Sequence, residues 1–249
     1  MKHWNHNQRY VALILTGGIA LGCAALQMQA RTQEAPQAPA PVVLPLPSQP
    51  PRGALVLYGG RAEHLTAHWA ERYTGAPSQW KRDAEGVLTP NGKDITTKQE
   101  FGDVYLHVEF RIPVDGSGKT IGHGNSGIGL QGRYEIQIMD SYGQKPEAHN
   151  NGALYSQLPA QVNASRKPGE WQAYDIIFRA PRLNAEGKVV EMPRATVFLN
   201  GVLIQNNAEF RGMTGIQYGQ FKEMTRTGPL ILQGDHDPVQ YRNIWVVPL

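Results

Sequence analysis

The chain has 249 residues, of which 41% are hydrophobic and 18% are charged, and this is enough for one sizeable globular domain. Its formal charge of +3 lies entirely within the first 52 residues, where Lys2, Arg9, Arg31 and Arg52 stand against Glu34. The rest of the chain is neutral, so it offers no electrostatic footprint for nucleic acid, and we expect no nucleic-acid partner.

The N-terminus has the pattern of an export signal. Lys2 and Arg9 precede an apolar run over residues 11–26, which is typical of a secretory signal peptide rather than a mature transmembrane helix. We therefore predict a signal peptide over residues 1–30. The protein is then expected to be exported, either to the periplasm or to the envelope of a bacterium.

The single cysteine of the chain, Cys23, ends this apolar run directly after Gly22. The site resembles a bacterial lipoprotein processing site at which Cys23 would be lipidated, although Ala20 stands where leucine is usual. Ordinary signal cleavage near Ala30 is the alternative. Contact with the membrane is expected only through such an N-terminal lipid anchor. In both cases the mature domain has no cysteine for disulfides or thiol catalysis.

Residues 31–52 are rich in proline and alanine, which predicts an extended, semi-rigid linker. The folded domain is predicted over residues 53–249.

Short segments of the strand type follow through this domain. Residues 103–112 alternate strictly between apolar and polar side chains. Asn200-Gly201, between two short apolar runs, is the strongest short-range signal for a β-hairpin. Further strands are predicted over residues 171–178, 196–199, 202–204, 230–233 and 241–247. No helical pattern extends over three turns. We therefore predict an all-β fold, a two-sheet antiparallel jelly-roll sandwich.

The glycine-rich run over residues 124–143 is the most informative segment. After its glycines, Tyr134, Ile136 and Ile138 fall on one face of a predicted strand. Arg133, Glu135 and Gln137 fall on the other face. A cation, a carboxylate and an amide in one row would suit a polar, sugar-sized ligand. A solvated outer face would show the same pattern.

Glu135 and Asp140 are the candidate catalytic carboxylates of this run. Their Cα atoms would lie roughly 13 Å apart on a regular strand, and Asp140 joins the face of Glu135 only if a bulge shifts the register. The two carboxyl groups would then have to lean together to reach the ~5–9 Å separation used in glycoside hydrolysis. Alternatively, Asp140 caps the turn over residues 141–143.

Other groups could add to this surface. Asp235-His236-Asp237 is a cluster suited to proton transfer or metal binding, but it falls short of a specific metal signature. No metal ligand or cofactor is therefore assigned, and binding of a divalent metal stays an open alternative. Lys119 and His123 could reach a ligand from a glycine-rich loop. Trp80, Trp171 and Trp245 are either sugar-stacking platforms or core residues.

Several segments together resemble the family that was long known as a domain of unknown function and is now called the 3-keto-disaccharide hydrolase domain. The matching segments are residues 92–98, 101–103, 109–111, 124–143, 162–165, 171–176, 200–202, 232–233 and 241–245. They cover nearly all of residues 53–249. One departure is Asn151-Gly152, where many members have Cys-Gly.

This resemblance implies a concanavalin A-like jelly roll of the lectin/glucanase type and a carbohydrate partner. Our candidate residues for catalysis are Glu135, Asp140 and His236. Our candidate residues for substrate binding are Glu109, Arg111, Asn125, Arg133, Gln137, Gln233 and Arg242.

The family name also implies a reaction. A keto group at C3 acidifies the hydrogen on C2, so proton abstraction, loss of the C1 alkoxide and addition of water form the easy route. Glu135 is the preferred base, Arg133 suits oxyanion stabilisation or a salt bridge, and His236 is the alternative base or the leaving-group acid. The Glu-x-Asp-x-x-Glu pattern of related glucanases is here Glu135-x-Gln137-x-x-Asp140, which weakens an ordinary double displacement.

Two other functions stay open at this point. A lectin-like, non-catalytic carbohydrate-binding module would use the same fold and the same polar face. A structural lipoprotein of the cell envelope would use that face as an interaction surface.

Overall fold

The computed structural model describes residues 41–214 and 223–249. The predicted signal peptide, Cys23 and the first part of the predicted linker lie outside these residues. Within the two described ranges, no helix has the length and apolar character needed to cross a membrane.

The domain consists almost entirely of short strands. In chain order, the elements are β1 (Leu55–Tyr58), α1 (Ala62–His68), β2 (Trp69–Glu71), β3 (Lys81–Arg82), β4 (Leu88–Thr89), β5 (Ile95–Phe101), β6 (Val104–Arg111), β7 (Ser126–Leu130), β8 (Tyr134–Ile138), β9 (Trp171–Arg179), β10 (Arg182–Leu183), β11 (Val189–Glu191), β12 (Arg194–Leu199), β13 (Val202–Glu209), β14 (Gly228–Leu232) and β15 (Gln240–Pro248). The seven-residue helix α1 was not predicted; it is too short to show a helical period.

The strands form two main antiparallel sheets. Sheet A has eight strands, in the order β13-β12-β9-β6-β15-β4-β3, with β1 also paired to β15. Sheet B has five strands, in the order β2-β5-β14-β7-β8. The small hairpin β10-β11 lies apart from both sheets in the pairing order. The prediction of a two-sheet antiparallel sandwich is confirmed.

The hydrophobic core lies between sheets A and B. Val104, Leu106, Val108 and Phe110 of β6 are all buried there, as the alternation predicted. From β8, the inward residues Tyr134, Ile136 and Ile138 are also fully buried in the core. Because side chains alternate along a strand, the residues between them are turned to the outer face of sheet B.

The predicted hairpin is formed by β12 and β13. Its turn residues, Asn200 and Gly201, have φ angles of 55° and 81°, as a two-residue turn of this type requires. The pairing of Leu199 with Val202 closes the hairpin.

Strand β8 is paired on both sides, although it ends the strand order of sheet B. The main chain of Glu135 and Gln137 bonds to residues 152–155, with Gln137 N donating to Ala153 O at 3.0 Å. Gly152 has φ 81°, and a Cβ there would lie 2.3 Å from Ile204. Glycine at the second position of Asn151-Gly152 therefore suits the positive φ and leaves room for the Ile204 side chain.

Part of the predicted linker belongs to the folded unit. Val43 forms a β-bridge with Val202, and Leu44 N donates to Gly201 O at 2.8 Å. Asn243 Nδ2 donates to Ser48 O at 2.6 Å. Residues 43–48 thus lie against sheet A instead of forming a free spacer.

Candidate functional site

Glu135 stands on the outer face of sheet B, over two glycines of the neighbouring strand. In the register of β7 and β8, Glu135 pairs with Gly129 and Gln137 pairs with Gly127. A Cβ on Gly127 would lie only 2.3 Å from Oε1 of Glu135. The glycines therefore leave room for this carboxylate to lie across the sheet.

The Glu135 side chain is held by Gln233, which directly follows β14 on the other side of β7. Gln233 Nε2 donates to Glu135 Oε1 at 3.2 Å. Glu135 is 1% exposed and Gln233 is 2% exposed. Their burial and this hydrogen bond fix the orientation of a carboxylate, which is what a general base requires.

Gln137 extends this arrangement along β8. Its Nε2 lies 3.4 Å from Asn125 Oδ1 and 3.3 Å from the main-chain oxygen of His149. Its Oε1 is buried and has no hydrogen-bond partner among the described residues. A buried amide oxygen without a partner is costly, so this atom is suited to accept a hydrogen bond from a ligand hydroxyl.

An ion pair that sequence reasoning missed lies on the same face. Arg72 Nη1 donates to Asp94 Oδ2 at 2.9 Å, and these side chains are only 1% and 2% exposed. Asp94 Oδ1 accepts a hydrogen bond from Gly234 N at 2.9 Å, directly after Gln233. Asp94 precedes Thr96 by two residues, and Thr96 is in register with Ile231 and Gly129, so Asp94 shares the face of Glu135.

We call these five side chains the polar row: Arg72, Asp94, Gln233, Glu135 and Gln137. They come from four strands or strand ends of sheet B. Glu135, Gln137 and Gln233 were predicted site residues. Of the ion pair, only Asp94 lay in a segment that the sequence singled out, and no spacing connects it with Arg72.

A cleft of about 570 Å³ opens beside the Gln137 end of the row. It is lined by Lys119, Thr120, Gly122, His123, Asn125, Met139, Asp140, Gln144, His149 and Asn150. Asn125 and His149 connect it to the row, because both contact Gln137. This larger cleft has the size of a small-molecule site.

Asp140 lies in the wall of the larger cleft and not in the polar row. Strand β8 ends at Ile138, and Asp140 Oδ2 accepts a hydrogen bond from Thr120 Oγ1 at 2.6 Å. Its main-chain N donates to His123 O at 3.0 Å. The structure therefore binds Asp140 to the loop that carries Lys119 and His123.

The three residues Asp235, His236 and Asp237 point to different surroundings. Asp237 Oδ2 accepts hydrogen bonds from the main-chain N of His123 and of Asn125, both at 2.8 Å, so it fixes a wall of the larger cleft. His236 lies 3.7 Å from Asp235 and its side chain is 42% exposed. In the described parts of the chain, no group of three or more His, Cys, Asp or Glu is arranged to hold a metal ion.

Asp235 lines a smaller cleft of about 200 Å³ at the other end of the row. The other residues that line it are Glu71, Arg72, Tyr73, Thr74, Gly92, Lys93 and Asp94. The polar row thus lies between two clefts.

Arg133 does not join Glu135. It precedes β8, and its guanidinium donates to the main-chain oxygens of Gln131 at 2.7 Å and Glu223 at 2.6 Å. Burial lowers the pKa of Arg133. These hydrogen bonds hold the backbone beside sheet B. Arg133 lies in the turn between β7 and β8 and therefore does not follow the alternation of β8.

Glu109, Arg111 and Arg242 lie on the outer face of sheet A, on the opposite side of the core. Arg242 Nε donates to Glu109 Oε2 at 2.6 Å. The guanidinium carbons of Arg242 and Arg111 lie 4.0 Å and 4.8 Å from the centre of the Trp171 ring. The structure therefore does not bring these three predicted binding residues to Glu135.

Beside them, the same face of sheet A carries a buried cluster around His107. His107 Nδ1 and the Tyr105 hydroxyl each lie 2.8 Å from Asp175 Oδ1, and the His107 ring stacks on Trp245 at 4.8 Å. Residues 44–48 and this face enclose a cavity of about 340 Å³.

The tryptophan rings proposed as sugar platforms have protein partners. Trp171 and Trp245 contact the arginines and His107 just described. Trp80 stacks on Tyr241 at 5.5 Å and donates from Nε1 to Lys93 O at 2.7 Å. These contacts give all three rings structural roles.

Comparison with known proteins decides the family. A family model described as 3-keto-alpha-glucoside-1,2-lyase-like domain matches residues 60–247. The chain belongs to this family. The family resemblance inferred from the sequence is thereby confirmed, and membership supports a carbohydrate-active, glycosyl hydrolase-like or carbohydrate-binding protein. Among curated proteins, none matches the chain.

Solved structures agree with this family. A protein from Parabacteroides distasonis that is provisionally named a glycosyl hydrolase is 33% identical, with a TM-score of 0.69 over 93% of this chain and 100% of its own. A second P. distasonis protein with the same provisional name is 18% identical, with a TM-score of 0.57 over 79% of this chain and 94% of its own. The second likeness shows the fold alone.

Proposed function

We propose that this protein is an exported enzyme that cleaves the glycosidic bond of 3-keto-glycosides by proton abstraction at C2, elimination and hydration. The observation that carries the proposal is Glu135, a buried carboxylate oriented by Gln233 and placed between two clefts. The 3-keto-alpha-glucoside-1,2-lyase-like family supports the substrate class.

Glu135 is the base of the proposed reaction. A keto group at C3 makes the hydrogen on C2 acidic, and Glu135 removes it as a proton. The electron pair of that C–H bond forms an enolate, which then expels the oxygen substituent from C1. Addition of water across the resulting double bond gives the free 3-keto sugar. Glu135 therefore has to meet C2 and not the glycosidic oxygen.

Arg72 takes the electrostatic role that the sequence suggested for Arg133. The enolate oxygen carries negative charge that a fixed cation stabilises, most strongly where water is excluded. Arg72 is the cation of the polar row, and Asp94 holds its guanidinium. Arg133 is bound to main-chain oxygens instead.

An ordinary double displacement has less support. That mechanism needs a second carboxyl group about 5–5.5 Å from the first. The neighbour of Glu135 on the same face of β8 is Gln137, which is an amide. Asp140 is bound to Thr120 in the wall of the larger cleft. Gln137 and Asn125 are assigned to binding of sugar hydroxyls.

The localisation rests on the N-terminal sequence alone. Lysine and arginine before an apolar run support export, and Cys23 supports a lipid anchor as the alternative to a cut near Ala30. Radiolabelled palmitate supplied to expressing bacteria should be incorporated into the natural chain and not into Cys23→Ala. Equal labelling of both chains, or of neither, would contradict a lipid anchor on Cys23.

The decisive experiment compares a 3-keto-glucoside with its unoxidised parent. The purified protein is incubated with each compound, with and without a chelator, and sugar release is followed. We expect cleavage of the keto compound only, independent of the chelator. Glu135→Gln should lower kcat by about 10²–10⁴-fold at an unchanged Tm. The exposed-turn variant Glu186→Gln is the matched control.

Other outcomes would assign other functions. Binding of a saccharide without cleavage would make the protein a lectin-like module. A chelator-dependent reaction would add a metal to the mechanism. If the protein neither binds nor cleaves any saccharide, the remaining function is that of an interaction surface in the cell envelope.

A further inference from the structure

Two carboxyl groups meet where the polar row reaches the smaller cleft. Asp94 is fully buried and accepts hydrogen bonds from Arg72 Nη1 and Gly234 N, both at 2.9 Å. Asp235, which follows Gly234, lines the same cleft as Asp94. Two neighbouring carboxyl groups disfavour each other's ionised form.

The surroundings of the two groups differ. Asp94 is bound by the guanidinium of Arg72 and by a main-chain N–H. Burial and the nearby charge of Asp94 raise the pKa of Asp235, while His236 opposes this shift. The other charged groups of the cleft neutralise each other, because Lys93 Nζ is bound to Glu71 at 2.9 Å. Asp235 is thus the carboxyl group of the cleft that is suited to hold a proton.

Three consecutive residues connect this acid with the proposed base. Gln233 donates to Glu135, Gly234 donates to Asp94, and Asp235 follows. The side chain of Asp235 is 44% exposed, so it can reach a ligand in the cleft, whereas Asp94 cannot. Two carboxyl groups in different environments on one site are the usual arrangement of an acid and a base.

We propose that Asp235 is the general acid that protonates the leaving oxygen, with Asp94 and Arg72 as its positioning residues. This inference rests on the proposed function, since the leaving oxygen belongs to the elimination started by Glu135. It assigns to Asp235 the role that the sequence suggested for its neighbour His236.

The step balances without any further reactant. Glu135 takes the proton from C2, the C1–O bond breaks with its electron pair on oxygen, and Asp235 gives that oxygen its proton. In the hydration, Asp235 takes a proton from water as the hydroxyl oxygen bonds to C1, and Glu135 returns its proton to C2. Both residues end in their starting states.

Leaving-group dependence tests this role. A general acid matters most for a poor leaving group, because a good one departs without protonation. The 3-keto-glucosides of methanol and of p-nitrophenol are compared. We expect Asp235→Asn to lower kcat by about 10²–10⁴-fold for the methyl compound and by less than about 10-fold for the nitrophenyl compound. Asp235→Glu should restore part of the methyl activity.

Equal losses for the two compounds would overturn the inference. Glu186→Gln, which removes a carboxylate from an exposed turn, should change neither rate. If the natural protein turns over both compounds and Asp235→Asn loses equal activity on them, this inference is wrong and the proposed function stands. If the natural protein turns over neither compound, the proposed function is wrong as well.

A measurement on the unmodified protein avoids the question of folding in the variant. A carboxyl-carbon NMR titration should place the midpoint of Asp235 above the ordinary value of 3.8. Asp115 serves as an internal comparison, because its hydrogen bonds from Ser117 and neighbouring main-chain N–H groups lower its pKa. A midpoint of Asp235 at or below that of Asp115 would overturn the raised pKa of Asp235 and with it the proposed acid.

Discussion

Gln233 donates a hydrogen bond to the carboxylate of Glu135 at 3.2 Å, although the two residues are 98 positions apart in the chain. They meet because β14 and β8 flank β7 on opposite sides, and the Gln233 side chain reaches Glu135 across β7. The orientation of Glu135 is therefore set by the pairing of sheet B and not by its own strand.

Gly127→Ala should reduce turnover with little effect on folding. The added Cβ would lie 2.3 Å from Oε1 of Glu135 and would push the carboxylate out of its position. Misplacement by about 1 Å can cost roughly 10²-fold in rate. Steady-state kinetics on the 3-keto-glucoside should show the loss in kcat. Gly116→Ala, which meets nothing within 4 Å, is the control, and equal rates in both variants would refute the prediction.

Asp94→Ala should strongly destabilise the protein. It leaves the buried guanidinium of Arg72 without its carboxylate, and breaking a buried ion pair in this way costs about 3–5 kcal/mol. Urea denaturation would measure the free energy of unfolding. The control is Glu63→Ala, from a pair whose side chains are 70% and 74% exposed, which should cost far less because water screens exposed charges. Similar losses in the two variants would contradict the prediction.

Glu109 should stabilise the fold in a pH-dependent manner at acid pH. Burial opposes its ionisation, but His107, Asn243 and Arg242 outweigh burial and lower its pKa from 4.5 to about 2. A lowered pKa gives stability that is present above pH 4.5 and is lost as the pH falls towards 2. The Tm of the natural protein should fall over this range, and the fall should be smaller in Glu109→Gln. An identical acid slope in both proteins would exclude this role.

His107 should act in the opposite direction. Burial lowers its pKa, but Asp175 and Glu109 together raise it above 6.5. Its contribution to stability is therefore present below pH 6.5 and is lost as the pH rises through the raised value. Thermal denaturation in steps from pH 5 to 9 should show a decrease that His107→Gln lacks. A Tm that falls equally in both proteins would place the pH dependence elsewhere.

Residues 43–48 should contribute to stability. A protein that begins at residue 50 loses the Val43–Val202 bridge and the hydrogen bonds to Gly201 O and Ser48 O, relative to one that begins at residue 41. Two or three such bonds correspond to about 2 kcal/mol, or to about 4–8 °C in Tm for a domain of this size. Calorimetry of the two proteins would measure the difference, and equal Tm values would show that the segment only rests on sheet A.

The sequence by itself determined the parts of the fold that depend on local chemistry. Strict alternation placed β6 and β8 and identified the side of each strand that faces the core, because a strand presents successive side chains to opposite faces. Asn200-Gly201 placed the hairpin of β12 and β13, because these residue types tolerate positive φ. The same alternation set Glu135 and Gln137 on one face, and the family followed from the segments around them.

Only the tertiary structure decided which polar residues share a site. Glu109 and Arg242 have the same kind of pattern as Glu135, yet sheet A carries them to the opposite side of the core. Arg72 and Asp94 joined the polar row through strand pairing that no local spacing reveals. Hydrophobic alternation fixes the inner and outer faces of each strand, whereas the order of the strands depends on long-range packing. That order brought the proposed base, cation and acid into one row.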